Sequence, residues 1–138
     1  MGDRANVVML YNCPPDMEVK PVFFYTHWHG GSLPFIVQRA LSRRGRWNDS
    51  PYLARIIFSE MVKGQEAGET GFGIAPYVQD NEHWLVVVDC EKGIVGFANP
   101  KEPTEPTISW SFDEYVGLSE TEIGDIYNSA DLSRAVLA

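Results

Sequence analysis

Residues Trp84 to Asp89 read Trp-Leu-Val-Val-Val-Asp, a nearly continuous apolar run rich in β-branched side chains. A run of this length bounded by turn formers suits a strand buried on both faces, and so the middle of a sheet. It is far shorter than the roughly 20 apolar residues of a membrane-spanning helix. Asp80-Asn81-Glu82-His83 leads into it, and Glu91-Lys92-Gly93 turns it back into Ile94 to Ala98 as a hairpin.

The rest of the chain is read against that strand. Asn6 to Tyr11 and Val19 to His27 read as two earlier strands, separated by the breaker cluster Cys13-Pro14-Pro15-Asp16. Ser32 can cap a helix to about Arg43, with Leu33, Ile36, Val37, Ala40 and Leu41 on one face. Ser50-Pro51 reads as a second helix start, with Leu53, Ile56, Ile57 and Met61 buried and Gly64 as the stop. Ile74 to Val78 and Thr107 to Trp110 read as short strands. Ser111 with Glu114 and Ser119 with Glu122 form two capping boxes, which predict helices over 112–117 and 120–128. Asp131 to Leu137 reads as a last helical turn or a frayed tail. Strands are grouped rather than alternating with helices. The fold class expected is therefore α+β: a mostly antiparallel sheet of five to six strands, covered on one face by two helices, with short C-terminal helices. At 138 residues the whole chain, 1–138, suits one globular domain, with the tail beyond about 128 mobile.

Charge narrows the function classes. The chain carries 19 acidic against 11 basic residues, a formal net charge of -8. Such a balance argues against direct DNA or RNA binding and against an anionic membrane surface. The distribution is uneven: residues 31–63 hold six basic and two acidic residues, and the flanking segments are acidic. Two cysteines, Cys13 and Cys90, make no disulfide framework or zinc spacing; they read as free buried thiols, with a single disulfide as the alternative. With no secretory leader evident, a cytoplasmic location is expected.

Four constellations could carry chemistry. In Thr26-His27-Trp28-His29-Gly30-Gly31, an extended backbone puts His27 and His29 on one side, where a third ligand from Asp80, Glu82 or His83 would complete a metal site. The same segment can instead bring the Gly30 and Gly31 N–H groups to an anion at the start of a helix. It lacks both standard glycine-rich phosphate motifs. Arg39, Arg43, Arg44, Arg46 and Trp47 combine forked donors with a stacking face, as a nucleotide site would, or else form a solvated helix end. Arg55 is placed to reach a ligand or to pair with Glu60 or Asp89. Asp80 to His83 offers acid–base groups but no evident nucleophile. The acidic residues Asp113, Glu114, Glu120, Glu122, Asp125 and Asp131 offer a surface that could mimic a nucleic-acid backbone.

The pieces Tyr25-Thr26-His27-Trp28, Leu33-Pro34, Arg46-Trp47-Asn48-Asp49, Tyr52 to Phe58, Gly71-Phe72-Gly73-Ile74 and Asp80-Asn81-Glu82-His83 resemble a group of small accessory proteins of phage genomes and, less often, of bacteria such as actinomycetes. The resemblance spans roughly residues 20–115 and carries no catalytic residue with it. It implies an accessory protein acting in the host cytoplasm against host defences.

The leading expectation is a non-enzymatic protein, without cofactor or bound metal, that sequesters a nucleotide-like anionic ligand. Its site would be a pocket of three loops holding Thr26, His27, Trp28, His29, Arg46, Trp47, Arg55, Asn81 and His83. Arg46 and Arg55 would neutralise phosphate, and Trp28 or Trp47 would stack on the base. A host defence protein and further copies of the chain are the other partners considered. The alternatives are an acidic inhibitor of a host defence or nucleic-acid-binding protein, and a small metal-dependent hydrolase.

Overall fold

A computed structural model describes residues 2–18 and 20–129. The predicted last helical turn at Asp131 to Leu137 lies outside the described residues.

Six strands make one mixed sheet: β1 (Ala5–Leu10), β2 (Val22–Thr26), β3 (Phe72–Ala75), β4 (Leu85–Asp89), β5 (Ile94–Ala98) and β6 (Ile108–Ser111). Their order across the sheet is β3-β2-β1-β4-β5-β6. Every adjacent pair is antiparallel except β1 and β4, which run parallel with Val7 opposite Val86. A short 3-10 turn, Gly30–Ser32, leads into α1 (Leu33–Leu41), followed by α2 (Ser50–Met61), α3 (Phe112–Gly117) and α4 (Glu120–Tyr127). The architecture is α+β, as expected from the grouping of strands. The apolar run at residue 84 is indeed central, since β4 is paired on both sides and buried along its whole length.

Several boundaries differ from the sequence reading, each for a local reason. The second strand is confined to Val22–Thr26, and Val19 lies outside the described residues. The third strand precedes Pro76 instead of containing it, because proline has no N–H for a ladder. Ser50 is not the cap of α2. Asp49 holds that position without a side-chain bond, and the Ser50 hydroxyl accepts the Asn12 N–H at 3.1 Å. Ser32 likewise makes no side-chain cap on α1. Both capping boxes form as predicted, with Ser111 and Ser119 accepting from Glu114 and Glu122 N–H groups at 3.1 Å.

The helices lie on one face of the sheet. Val7, Met9, Phe24, Val86, Val88, Val95 and Phe97 point into that layer, against Leu33, Val37, Leu41, Leu53 and Ile57. The C-terminal helices join the same core. Phe112, Tyr115, Ile123 and Tyr127 are buried there. The Tyr115 hydroxyl donates to Pro34 O at 2.7 Å, and that of Tyr127 donates to Gly30 O at 2.8 Å. Gln38 Nε2 caps the end of α3 by donating to Tyr115, Val116 and Leu118 carbonyls.

Among the described residues no helix covers the second face, yet Val8, Phe23, Leu85, Val87 and Ala98 are buried there. Loops do the covering. Pro106 sits directly over Gly96, where an added Cβ would lie 2.4 Å from the proline ring. Val78 packs on the cluster from the loop that precedes β4. That loop is held by Asn6, a fully buried amide on β1. Asn6 Nδ2 donates to Gln79 O, Asp80 O and Asn81 Oδ1, and Asn6 Oδ1 accepts from Gln79 N–H. An apolar replacement leaves the loop's polar groups without partners, at about 1–3 kcal/mol for each buried group. Asn6→Leu is expected to lower stability in urea denaturation by about 2–4 kcal/mol, mostly through loss of this anchor.

Candidate functional site

The three loops singled out in the sequence do not share one rim. β1 begins beside Thr26 and ends at Leu10, a span of roughly 20 Å at about 3.3 Å per residue. The Thr26–Gly31 and Asp80–His83 turns meet at its beginning. Arg46 and Trp47 lie at the opposite end, where α1 finishes and β4 turns into β5.

At the first end Thr26 is fully buried, and its hydroxyl accepts the His29 N–H at 3.2 Å. Tyr25 and His27 share the second face, and the Tyr25 hydroxyl meets His27 Nδ1 at 2.8 Å. His29 stacks on Phe72, with centroids 5.8 Å apart. Trp28 is 44% exposed, and its ring covers Gly71 so closely that a Cβ there would lie 2.0 Å from it. Asn81 bonds to Asn6 and, through Nδ2, to His83 O.

The anion that Gly30 and Gly31 approach belongs to the chain itself. Asp3 O accepts the Gly30 N–H at 2.8 Å, and Asp3 Oδ2 accepts the Gly31 N–H at 2.8 Å. Asp3 Oδ1 lies 2.5 Å from His83 Nε2, and the His83 ring stacks on Tyr127. The hydrogen bond to His83 lowers the Asp3 carboxyl pKa below its ordinary value; burial opposes this, and the Gly31 N–H supports it. Gly30 is required by this closeness, since an added Cβ would lie 2.6 Å from Asp3 O and 2.8 Å from His83 Cδ2. The cluster is a clasp between the N-terminal segment, α1 and α4. The metal reading of His27, His29 and His83 finds no geometric support, because the three rings engage separate partners, Tyr25, Phe72 and Asp3. Among the described residues no three His, Cys, Asp or Glu side chains gather to hold an ion.

The basic segment is largely neutralised from within. Glu60, nearly buried, pairs with both Arg39 and Arg43, and these partners hold its pKa below the ordinary value against burial. Arg44 pairs with Asp113 at 2.8 Å and lies over Trp47. Arg46 faces Asp49 at 3.9 Å and stacks over Tyr52 at 4.7 Å. Trp47 is a packing residue: Nε1–H donates to Leu41 O, and its ring meets Phe112 edge-on. The acidic C-terminal surface is also engaged, with Asp113 on Arg44 and Glu114 and Glu122 in the capping boxes. Cys13 and Cys90 are free thiols. Burial pushes the Cys90 pKa up to about 12, so it is a thiol and not a nucleophile at neutral pH.

Arg55 behaves differently. It pairs with neither Glu60 nor Asp89: Glu60 is taken by two other arginines, and Asp89 Oδ1 accepts the Glu91 and Lys92 N–H groups of the hairpin turn. Among the described residues Arg55 has no ion-pair partner. It stands exposed at a groove of about 370 Å3 between α2 and the β2–β3 edge, walled by Tyr11, Val22, Phe24, Ala54, Phe58 and Ile74. Nothing in the sequence marked this groove, because its walls come from four separate elements. Only the lack of an acid at i±3 or i±4 around Arg55 was readable.

The chain was compared with protein-family models, with curated proteins and with solved structures, and it matches none of them.

The clasp makes a pH prediction. Because the folded Asp3 pKa is lowered, its contribution to stability is present above the unfolded value near 4 and is lost as pH falls through the lowered folded value. Asp3→Asn should reduce the thermal midpoint at pH 6–7, and the gap to wild type should close on acidification to about pH 2–3.

Proposed function

We propose that this protein binds a small anionic ligand with an apolar or aromatic body, of the nucleotide class, in the groove between α2 and the β2–β3 edge. One observation carries this reading. Of five grooves of about 240–440 Å3 on the described surface, four each contain at least one carboxylate. The α2–β2/β3 groove has none, and holds the unpaired guanidinium of Arg55. In a chain of net charge -8, an anion in this groove meets attraction without an opposing carboxylate among the walls. A few polar groups on apolar walls is the usual make-up of a small-molecule site.

The roles follow from chemistry. Arg55 offers a fork of donors to a phosphate or carboxylate. Tyr11 and Phe58 present aromatic surface to a base or another ring. Burial raises the Tyr11 pKa, so its hydroxyl is a donor at neutral pH. Ser59 adds a second hydroxyl at the wall. Arg46, Trp47, His27, Trp28, His29, Asn81 and His83 have no place in this groove. The resemblance to phage accessory proteins supplies a setting, the sequestration of a host signal nucleotide.

The test is thermal shift with ADP-ribose and with cyclic mono- and dinucleotides. A ligand at about 100 times its dissociation constant should stabilise the fold by about 2.7 kcal/mol. Arg55→Ala should weaken binding of that nucleotide by roughly 10–100-fold, since a hydrogen bond to a charged group contributes about 1.5–3 kcal/mol. Arg46→Ala should leave it unchanged. No shift with any of these nucleotides, or full binding by Arg55→Ala, would overturn the proposal.

A further inference from the structure

We infer that the free edge of β3 is the contact through which two copies of this chain pair, joining their sheets into one. The register decides which groups face outward. His27 N–H donates to Gly71 O, so the bonded pairs of the β2–β3 ladder are His27 with Gly71, Tyr25 with Gly73 and Phe23 with Ala75. The N–H and C=O groups of Phe72 and Ile74 therefore point away from the sheet. Edge strands are normally blunted by charge or proline. From Gly71 to Gln79 there is no charged residue, in a chain where 22% of residues are charged. The edge is also apolar: Ile74 is 61% exposed, Tyr77 62%, and Trp28, beside Phe72, 44%.

The edge is self-complementary in one register. With a two-fold axis at Gly73, Phe72 of each copy lies opposite Ile74 of the other, and the four outward N–H groups of the two strands all find carbonyls. Gly71 and Pro76 bound this register: centring on Phe72 would need Thr70 in the ladder, but Gly71 at φ 95° takes the chain out of extended geometry before β3 begins. Centring on Ile74 would put Pro76 opposite Phe72 and lose two donors. Phe72 and Ile74 share the helix face, so the pairing sets an aromatic ring against a β-branched side chain across the interface. Gly73 meets Gly73 without a side chain of its own, and the Gln79 amide lies beside it, 3.1 Å from where a Cβ would stand. The strand itself is uncharged, but Glu66 and Glu69 line the groove beside Phe72, so salt that screens these carboxylates should strengthen the pairing. Ile74 also walls the ligand groove, so the partner strand would extend that wall.

The experiment is sedimentation over a dilution series, with two variants. The wild-type chain should reach twice the 15.5 kDa monomer mass at high concentration and dissociate on dilution. Ile74→Lys, at an exposed side chain, should stay monomeric with an unchanged circular-dichroism spectrum. Met17→Lys, at another exposed apolar residue, should still dimerise. In a Cys13→Ser background, Gly73→Cys should form a covalent dimer under mild oxidation, because a non-bonded antiparallel pair brings Cα atoms to about 4.5 Å, within disulfide reach. Arg55→Ala should dimerise as wild type does, whatever its effect on nucleotide. Monomer at every wild-type concentration overturns the inference. So does a dimer that survives Ile74→Lys and yields no Gly73→Cys disulfide.

Discussion

The structure depends on a strand that must be hidden on both faces while the helices of the described residues cover one of them. β1 lies between β2 and β4, and Ala5 to Met9 are all buried. Its helix-facing side chains are met by α1 and α2. Its other side chains, Asn6 and Val8 among them, need a cover made of loop. A loop over a buried face must satisfy its own backbone groups, and Asn6 does much of this for residues 79–81. One amide thus lets the sheet bury its centre twice.

The same constraint decides where chemistry can sit. Residues that close the ends of the sheet are spent on closing it. Asp3, Gly30, His83 and Tyr127 fasten the N-terminal segment to α1 and α4. Glu60 gathers Arg39 and Arg43, and Trp47 locks the turn after α1 onto α3. One flank of the described surface that these contacts leave open is where α2 stands off from the β2–β3 edge. Arg55 and Ile74 both belong to that flank, so the proposed ligand groove and the proposed pairing edge adjoin each other.

Much of the fold was legible locally. The central strand, the hairpin through Gly93, the two capping boxes and the buried faces of α1 and α2 all follow from neighbours in sequence. The parallel pairing of β1 with β4 was not, because it joins residues about 80 positions apart with no local mark. The site was legible in type but not in place. A basic segment could be counted, yet its neutralisation by Glu60 and Asp113 depends on pairs 17 to 69 residues apart. Gly30 and Gly31 could be read as an anion cradle, but not that Asp3 supplies the anion. Ser50 does not cap α2, because its hydroxyl serves Asn12 in the loop after β1.

Backbone amide NMR of the labelled full-length chain, titrated with ADP-ribose and with a cyclic dinucleotide, tests the central claim most directly. The account predicts that resonances of Ala54 to Ser59, Val22 to Phe24 and Ile74 move together, and that those of Asp3, Gly30 and His83 stay in place. Movement centred on Asp3, Gly30 and His83, or on Trp47, would contradict it, as would no movement with either nucleotide.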